Sequence, residues 1–259
     1  MSNKKMYCEI SEEIATITID HPPLNLIDLV LLNELREQLS KLREDRNVWA
    51  IILTGAGDRA FVGGMNVRQF TTTILEVPCQ ISIQGQAIMN FIENLGKPTI
   101  AAINGVAVAG GLELALACTF RIGTHKSRFA SPEIKLGIIP GFGATQRLPR
   151  LIGTAKAMEM LLIGDQIDAE RAFQWGILNQ LVKEEELMSA AREFAHRIII
   201  NPGQAVKMTM EAVNRGLEMP LDYGLQLESL CAGYCNQTED SKEGINALLE
   251  KRKPIFHNR

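Results

Sequence analysis

One glutamate, Glu113, stands in the otherwise apolar stretch G-G-L-E-L-A-L-A-C at residues 110–118. Burial of a carboxyl group raises its pKa, whereas the N-terminus of a helix lowers it. The balance of the two effects suits a group that gains and loses a proton near neutral pH. Glu113 is therefore a candidate acid or base. The alternative, an outward-facing glutamate on a surface helix, fits poorly with its apolar neighbours.

A second candidate carboxylate is Glu133, in the stretch F-A-S-P-E-I-K-L-G at residues 129–137. The pair Ser131-Pro132 predicts a turn immediately before it. Taken alone, Glu133 is more typical of an exposed loop residue. Two carboxylates beside one bound carbonyl would nevertheless form a reasonable site for proton transfer next to that carbonyl.

Glycine pairs at 63–64 and 110–111 predict places where backbone N–H groups are free to bind a ligand. The second pair follows a predicted strand and begins the apolar helix, whose first N–H groups have no partner inside the helix. A turn at Gly64-Met65 that brought another free N–H alongside would complete an oxyanion hole. Such a hole stabilises charge on a carbonyl oxygen by roughly 3 kcal/mol for each donor.

The elements that must position these groups alternate between strands and helices, which implies parallel pairing and a layered α/β architecture. Asp28 is a predicted N-cap for a leucine-rich helix. From Thr154 onward the pattern is almost entirely helical. The predicted earlier elements are a half-buried strand at 15–19, a strand at 48–54, a helix at 81–95, a single strand at 99–108 and a strand at 120–124.

Composition and charge exclude several classes of protein. The 259 residues are 46% hydrophobic and 22% charged, with a formal net charge of -3, which is typical of a globular protein rather than a disordered or nucleic-acid-binding one. The N-terminus lacks the features of a targeting signal, so we expect a cytoplasmic protein. The longest apolar stretch contains Glu113 and several glycines, which argues against a membrane span. Five scattered cysteines offer no metal-ligand spacing.

Two glycine-rich turns resemble nucleotide-binding motifs only superficially. The stretch at 55–60 formally matches the dinucleotide fingerprint G-x-G-x-x-A, but the following F-V-G-G is poor helix material and is interpreted as another turn. The stretch G-F-G-A at 141–144 lacks the lysine of a phosphate-binding loop. A nicotinamide-dependent dehydrogenase would rest on the first turn alone.

Three stretches carry a family resemblance: A-F-V-G-G-M-N-V at 60–67, I-N-G-V-A-V-A-G-G-L-E-L-A-L-A-C at 103–118, and F-A-S-P-E-I-K-L-G-I-I-P-G-F-G-A-T-Q-R-L at 129–148. Together they resemble the crotonase, or enoyl-CoA hydratase/isomerase, superfamily. The resemblance spans essentially the whole chain, from P-P-L-N-L at 22–26 to E-K-R-K-P-I-F at 250–256.

The resemblance implies an α/β fold, a spiral of ββα units with a C-terminal helical trimerisation region. It divides the chain into a core at 1–200, which would bear the CoA-thioester site, and a helical region at 201–259. Members assemble as homotrimers or dimers of trimers and bind acyl-CoA, without a membrane or nucleic acid. They need no metal or redox cofactor, because coenzyme A is part of the substrate.

The resemblance also assigns roles to residues. The backbone N–H groups of Met65 and Gly110 would bind the thioester carbonyl. Members that hydrate enoyl-CoA carry two glutamates, here Glu113 and Glu133, so the chain is closest to the enoyl-CoA hydratases. Glu113 would activate the water, and Glu133 would supply the proton. Lys251 would contact CoA phosphate across a subunit boundary; a solvated basic tail is the alternative.

Departures from the family pattern leave the acyl group open. The first motif more often has alanine at Gly63, aspartate at Asn66 and a smaller residue at Met65. The segment at 68–80 is predicted to be a loop or irregular helix beside the acyl pocket. A hydratase of a cyclic or branched dienoyl-CoA, an enoyl-CoA isomerase and an acyl-CoA hydrolase therefore stay as alternatives. Some relatives bind RNA, but the acidic isoelectric point near 5.9 argues against that role.

Overall fold

In the computed structural model of the protein, the residues described are 5–66 and 77–257. They form two β-sheets with helices packed around them, so the predicted α/β class is confirmed. The predicted loop segment at 68–80 lies outside the described residues up to position 76, and a helix begins at Val77.

The first sheet has six strands in the order β1-β2-β3-β5-β7-β10. Its first pair is antiparallel, and the other neighbours run parallel, as the alternation of elements predicts. The strands are β1 Met6–Ser11, β2 Ile14–Ile19, β3 Ala50–Gly55, β5 Thr99–Ile103, β7 Phe120–Thr124 and β10 Gln180–Val182.

The second sheet has four short strands in the order β4-β6-β8-β9. The chain enters it three times directly from the first sheet, because β4, β6 and β8 follow β3, β5 and β7. A helix then follows each pair of strands, which is the predicted ββα spiral. The strands are β4 Ala60–Val62, β6 Val106–Val108, β8 Arg128–Ala130 and β9 Ile167–Asp168.

Two predictions are wrong where the chain passes from one sheet to the other. The predicted single strand at 99–108 is two strands, β5 and β6, separated at Asn104-Gly105. A Cβ atom on Gly105 would lie 2.4 Å from the Arg59 carbonyl oxygen, so the corner requires glycine. Phe61 and Val62, interpreted as part of a turn, lie in strand β4, because pairing with β6 overrides their weak local signal; Gly63 and Gly64 lie outside the strand.

The helices agree with most of the predicted positions. The Asp28 side chain accepts a hydrogen bond of 2.8 Å from the N–H of Leu31, which confirms it as an N-cap. The helices are α1 Leu29–Glu44, α2 Val77–Glu93, α3 Gly110–Ala117, α4 Ala144–Ile152, α5 Thr154–Ile163, α6 Ala169–Trp175, α7 Leu187–Ile199, α8 Gly203–Gly216, α9 Leu221–Cys235 and α10 Glu239–Leu249. Single 3-10 turns lie at Pro132–Leu136 and Glu184–Glu186.

Both faces of the six-stranded sheet are buried. One face packs against α7 through Ile52, Ile100 and Ala191, and the other contributes to the main core with α1 and the second sheet. The prediction of a half-buried strand at 15–19 is therefore wrong, since even Thr16 and Thr18 are buried in β2. Alternating threonines mimic a solvent-facing pattern, but tertiary packing covers them.

The last three helices, α8 to α10, extend the chain beyond the sheets. Helix α8 has no buried residue, and α9 buries only Cys231. Large exposed apolar side chains on this segment include Leu217, Leu221, Leu230, Leu248 and Leu249. The division of the chain at residue 200 stays a prediction. Within residues 5–66 and 77–257, every helix is too short or too polar to cross a membrane.

Candidate active site

The backbone at Met65 is held by pairing with the segment before α1. The N–H of Ile27 donates to the Gly64 carbonyl over 2.8 Å, and the N–H of Asn66 donates to the Ile27 carbonyl over 2.9 Å. In this parallel pairing the N–H of Met65 faces away from Ile27. It has no hydrogen-bond partner in the part of the chain that the structure describes, so it is available to a ligand.

Helix α3 begins beside that segment. Ala109, before the helix, has a φ of 51°, and its N–H donates to the Ala130 carbonyl over 2.9 Å. The N–H of Gly110 is the first of the helix and has no partner among the described residues. A Cβ atom on Gly64 would lie 3.1 Å from that of Ala109. The segments that carry the Met65 and Gly110 amides are therefore in direct contact.

Helix α3 is fixed at both ends. At its start, a Cβ atom on Gly111 would lie 2.0 Å from the Val62 carbonyl oxygen, so only glycine permits this approach to β4. At its end, the buried Arg121 donates from Nη1 to the Cys118 carbonyl over 2.7 Å and from Nε to the Ile177 carbonyl over 2.6 Å. A cation at the C-terminus stabilises the helix dipole, and nothing in the sequence analysis identified this role.

Glu113 lies in the first turn of α3 and is only 3% exposed. Its Oε1 accepts hydrogen bonds from the N–H of Phe142 over 2.7 Å and from the N–H of Ala144 over 3.0 Å. Burial raises the pKa of Glu113 from 4.5 to about 7, against these bonds, which lower it. The alternative of an outward-facing glutamate is thus excluded, and the pKa of Glu113 lies near neutral pH, as predicted.

Glu133 lies in the 3-10 turn that follows Ser131 and is 7% exposed. The interpretation of Glu133 alone as an exposed loop residue is therefore wrong. Its Oε2 accepts a hydrogen bond of 2.8 Å from the Ser131 hydroxyl. The charge of Glu133 also raises the pKa of Glu113, so the structure brings the two carboxyl groups within electrostatic reach of each other.

The loop at 141–144 is the main feature that sequence reasoning missed. Its sequence does not fit a phosphate-binding loop and assigns it no role of its own, yet its N–H groups bind the Glu113 carboxyl. The Phe142 ring lies about 3.5 Å from the Cβ position of Gly110 and occupies space that Gly85 leaves open on α2. The available signal was Gly143, whose φ of 119° favours glycine.

The predicted CoA contact, Lys251, makes no hydrogen bond or ion pair with these groups among the described residues. It follows α10, is exposed, and has a φ of 55°. Within the described part of the chain no hydrogen bond or ion pair joins its side chain to another residue. The Met65 side chain is partly buried against the main hydrophobic core.

No group of three or more histidine, cysteine, aspartate or glutamate side chains that could hold a metal ion occurs within residues 5–66 and 77–257. The five cysteines are free thiols. This region offers two buried carboxyl groups and two backbone N–H groups without partners among the described residues, a set suited to moving protons beside a bound carbonyl.

This fold and site define a class of acid–base enzyme built on the ββα spiral, and comparisons with known proteins identify the family. The profile of the enoyl-CoA hydratase/isomerase family matches residues 9–259. The chain is 38% identical over 254 residues to the short-chain-enoyl-CoA hydratase of Clostridium acetobutylicum, covering 98% of this chain and 97% of that protein. It is 37% identical over 257 residues to the crotonyl-CoA hydratase of Syntrophomonas wolfei, covering 99% of each.

A solved structure supports the same family. The crystal structure of enoyl-CoA hydratase from Bacillus anthracis superposes with a TM-score of 0.95 at 35% identity, covering 99% of this chain and 100% of that one. The chain belongs to the enoyl-CoA hydratase/isomerase family.

The buried carboxyl of Glu113 makes a prediction about stability. Between pH 4.5 and 7 the folded protein keeps a proton that the unfolded chain loses, so stability falls as pH rises through this window. Gln at position 113 removes the titration but can still accept both amide bonds. We expect Glu113→Gln to be more stable than the wild type above pH 7, by up to about 3 kcal/mol, with the difference shrinking towards pH 5.

Denaturant unfolding of both proteins at pH 5 and pH 8 measures this difference. A Gln variant that is no more stable than the wild type at pH 8 would contradict the assignment of a costly buried charge to Glu113.

Proposed function

We propose that this protein hydrates trans-2-enoyl-CoA to 3-hydroxyacyl-CoA. The observation that carries the proposal is the pairing of two buried glutamates, one with a pKa of about 7, beside the free N–H groups of Met65 and Gly110. Named relatives at 37–38% identity that act on short enoyl-CoA thioesters support it.

The thioester carbonyl would accept hydrogen bonds from the Met65 and Gly110 amides. Conjugation with the thioester makes the β-carbon electrophilic, so addition there moves an electron pair onto the carbonyl oxygen. Each amide would stabilise the resulting enolate oxygen by roughly 3 kcal/mol. The N-terminus of α3 adds a favourable positive potential at the same place.

The two glutamates would supply the proton transfers. Ionised Glu113 takes a proton from a water molecule held between the pair, and the water oxygen forms a bond to the β-carbon. Glu133 then gives a proton to the α-carbon, which restores the carbonyl. The step balances because Glu113 takes up one proton as Glu133 gives up another, so the pair carries one proton in total before and after the addition.

The same pair could move a proton between the α- and γ-carbons, so enoyl isomerisation is the natural side activity. No metal or redox cofactor is part of the proposal, because the conjugated thioester is already activated for addition. Five free thiols fit a reducing compartment, which supports the proposed cytoplasmic location.

Assembly as a homotrimer or a dimer of trimers belongs to the proposal. It is supported by the exposed leucines of α8 to α10, since a monomer rarely leaves so many large apolar side chains in water. In such an assembly Lys251 of one protomer would reach the CoA phosphates bound to another.

The first test is the loss of the conjugated-thioester absorbance of crotonyl-CoA, followed by longer and cyclic enoyl-CoA thioesters. We expect Glu113→Gln and Glu133→Gln each to lower kcat by at least about a hundredfold while acyl-CoA binding persists. Glu170→Gln, at an exposed glutamate paired with His125, is the matched control and should keep wild-type turnover.

Turnover of linear substrates would support a hydratase of fatty acyl chains, and turnover of cyclic substrates alone would keep the mechanism but change the acyl group. If the absorbance of every substrate stays unchanged, hydration is refuted, and an isomerase, a hydrolase or a non-catalytic relative is favoured.

The proposed oxyanion hole is testable by vibrational spectroscopy. Hydrogen bonds from two amides polarise a carbonyl, so the thioester C=O stretch of bound crotonyl-CoA should move to lower frequency in the inactive Glu113→Gln protein. A carbon-13 label at the carbonyl identifies the band. A bound thioester whose band stays at its solution frequency would rule out the role of Met65 and Gly110.

The proposed role of Lys251 concerns the nucleotide part of the substrate. We expect Lys251→Ala to raise KM for enoyl-CoA about fivefold, through loss of a charge-assisted phosphate contact, and to leave kcat unchanged. Lys253→Ala is the control at a nearby exposed lysine. An enoyl-pantetheine thioester has no nucleotide phosphates, so its KM should not respond; an equal effect on both substrates would contradict the phosphate contact.

A further inference from the structure

The loop at 141–144 has an inner side, which faces Glu113, and an outer side, which faces Arg147. On the outer side, Arg147 Nη1 donates to the Phe142 carbonyl over 3.2 Å. A peptide unit is planar, with its C=O and N–H pointing in opposite directions. Because Arg147 binds the Phe142 carbonyl on the outer side, the N–H of Gly143 points towards Glu113 on the inner side. A hydrogen bond from this N–H lowers the pKa of Glu113.

Gly143 fits this arrangement in two independent ways. Its φ of 119° lies in the region that favours glycine. A Cβ atom there would lie 2.3 Å from Arg147 Nη1, so a larger residue would exclude the guanidinium from its place. The N–H of Arg147 in turn donates to the Gly143 carbonyl over 2.9 Å. The conformation of the loop and the position of the Arg147 side chain therefore depend on each other.

Helix α2 holds Arg147 from the other side. Arg147 Nη2 donates to Glu93 Oε2 and to Asn90 Oδ1, each over 2.7 Å, and the arginine side chain is only 13% exposed. One turn earlier on the same helix face, Gln86 Nε2 donates to the Gly141 carbonyl over 2.9 Å. One stripe of α2 therefore anchors both the loop and the arginine that orients it.

We infer that Arg147 is a positioning residue: anchored by Glu93 and Asn90, it orients the loop at 141–144 so that the backbone N–H groups hold the Glu113 carboxylate for proton transfer. The hydrogen bonds of the Arg147 side chain go to Glu93, Asn90 and the Phe142 carbonyl rather than to Glu113, so it acts through the peptide between Phe142 and Gly143. The inference rests on the proposed function, because it assigns Glu113 the role of base.

Few charged groups lie close enough to Glu113 to shift its pKa. From the 3-10 turn, Glu133 faces it, and this is the titratable side chain whose charge acts on Glu113 among the described residues. The loop itself, G-F-G-A, carries no titratable side chain, and the rest of α3 is apolar. The cation of Arg147 and the anion of Glu93 lie beyond the loop and are paired with each other.

The test is the pH profile of kcat/KM for hydration by Arg147→Gln. Weaker amide bonds to the carboxylate favour its protonated form, so the acidic limb should move upward by about one pH unit. At pH 6 the variant should be about tenfold slower than the wild type, approaching it at high pH, with KM for the acyl-CoA little changed. Arg147→Lys keeps the charge without the forked donors and should shift the limb nearly as far.

Arg150→Gln is the matched control, because Arg150 lies on α4, is exposed, and donates to Gln146 rather than to the loop. It should leave the profile unchanged. Glu93→Gln keeps an acceptor for Arg147 but removes the ion pair, so a smaller upward shift is expected. An Arg147→Gln enzyme that loses activity equally at every pH, with a lowered Tm, would show a structural role only and overturn the inference.

A second readout separates this inference from the proposed function. The infrared C=O stretch of protonated Glu113, identified by its absence in Glu113→Gln, reports the titration without turnover. It should persist to higher pH in Arg147→Gln than in the wild type. If the wild type hydrates no enoyl-CoA but this shift occurs, the function fails and the positioning role stands; an unshifted titration overturns the positioning role in either case.

Discussion

The structure depends on one balance of forces, between the burial of the Glu113 carboxyl and the backbone N–H groups that bind it. Burial alone would leave the group neutral, and amide bonds alone would leave it ionised. Together they give a pKa of about 7, where a small free-energy change moves the proton. Helix α3, the loop at 141–144 and the 3-10 turn all meet at this one carboxyl group.

Several close backbone approaches make that meeting possible. Gly111 lets α3 approach the Val62 carbonyl, Gly64 lets the turn before Met65 pack on Ala109, and Gly105 lets the chain pass from one sheet to the other. At each of these positions a Cβ atom would meet a neighbour at 3.1 Å or less. The segments that carry the Met65 and Gly110 amides come into contact because Gly64 permits it.

Rigid support and reactive groups come from different parts of the chain. The sheets and the buried Arg121 fix α3, while α2 and Arg147 fix the loop that holds the glutamate. Such layered support keeps a costly buried carboxyl in place with little freedom to relax. The exposed apolar surface of α8 to α10 lies outside this arrangement and fits a role in assembly.

Local patterns in the sequence determined much of this protein. The leucine periodicity and Asp28 defined α1, the alternation of elements defined the α/β class, and the isolated Glu113 in an apolar run identified the candidate base. These features are local, because a cap, a helical face or a misplaced charge is visible within one or two turns of chain.

Only the tertiary structure decided the rest. Pairing with β6 made a strand of the stretch at 60–62, a corner divided the apolar run at 99–108, and packing on both sheet faces buried Thr16 and Thr18. The position of Arg147 also depends on residues far apart in sequence, because Asn90 and Glu93 hold its guanidinium group. Long-range contacts fix which groups lose water and which N–H groups find partners, and those two facts set the chemistry of the site.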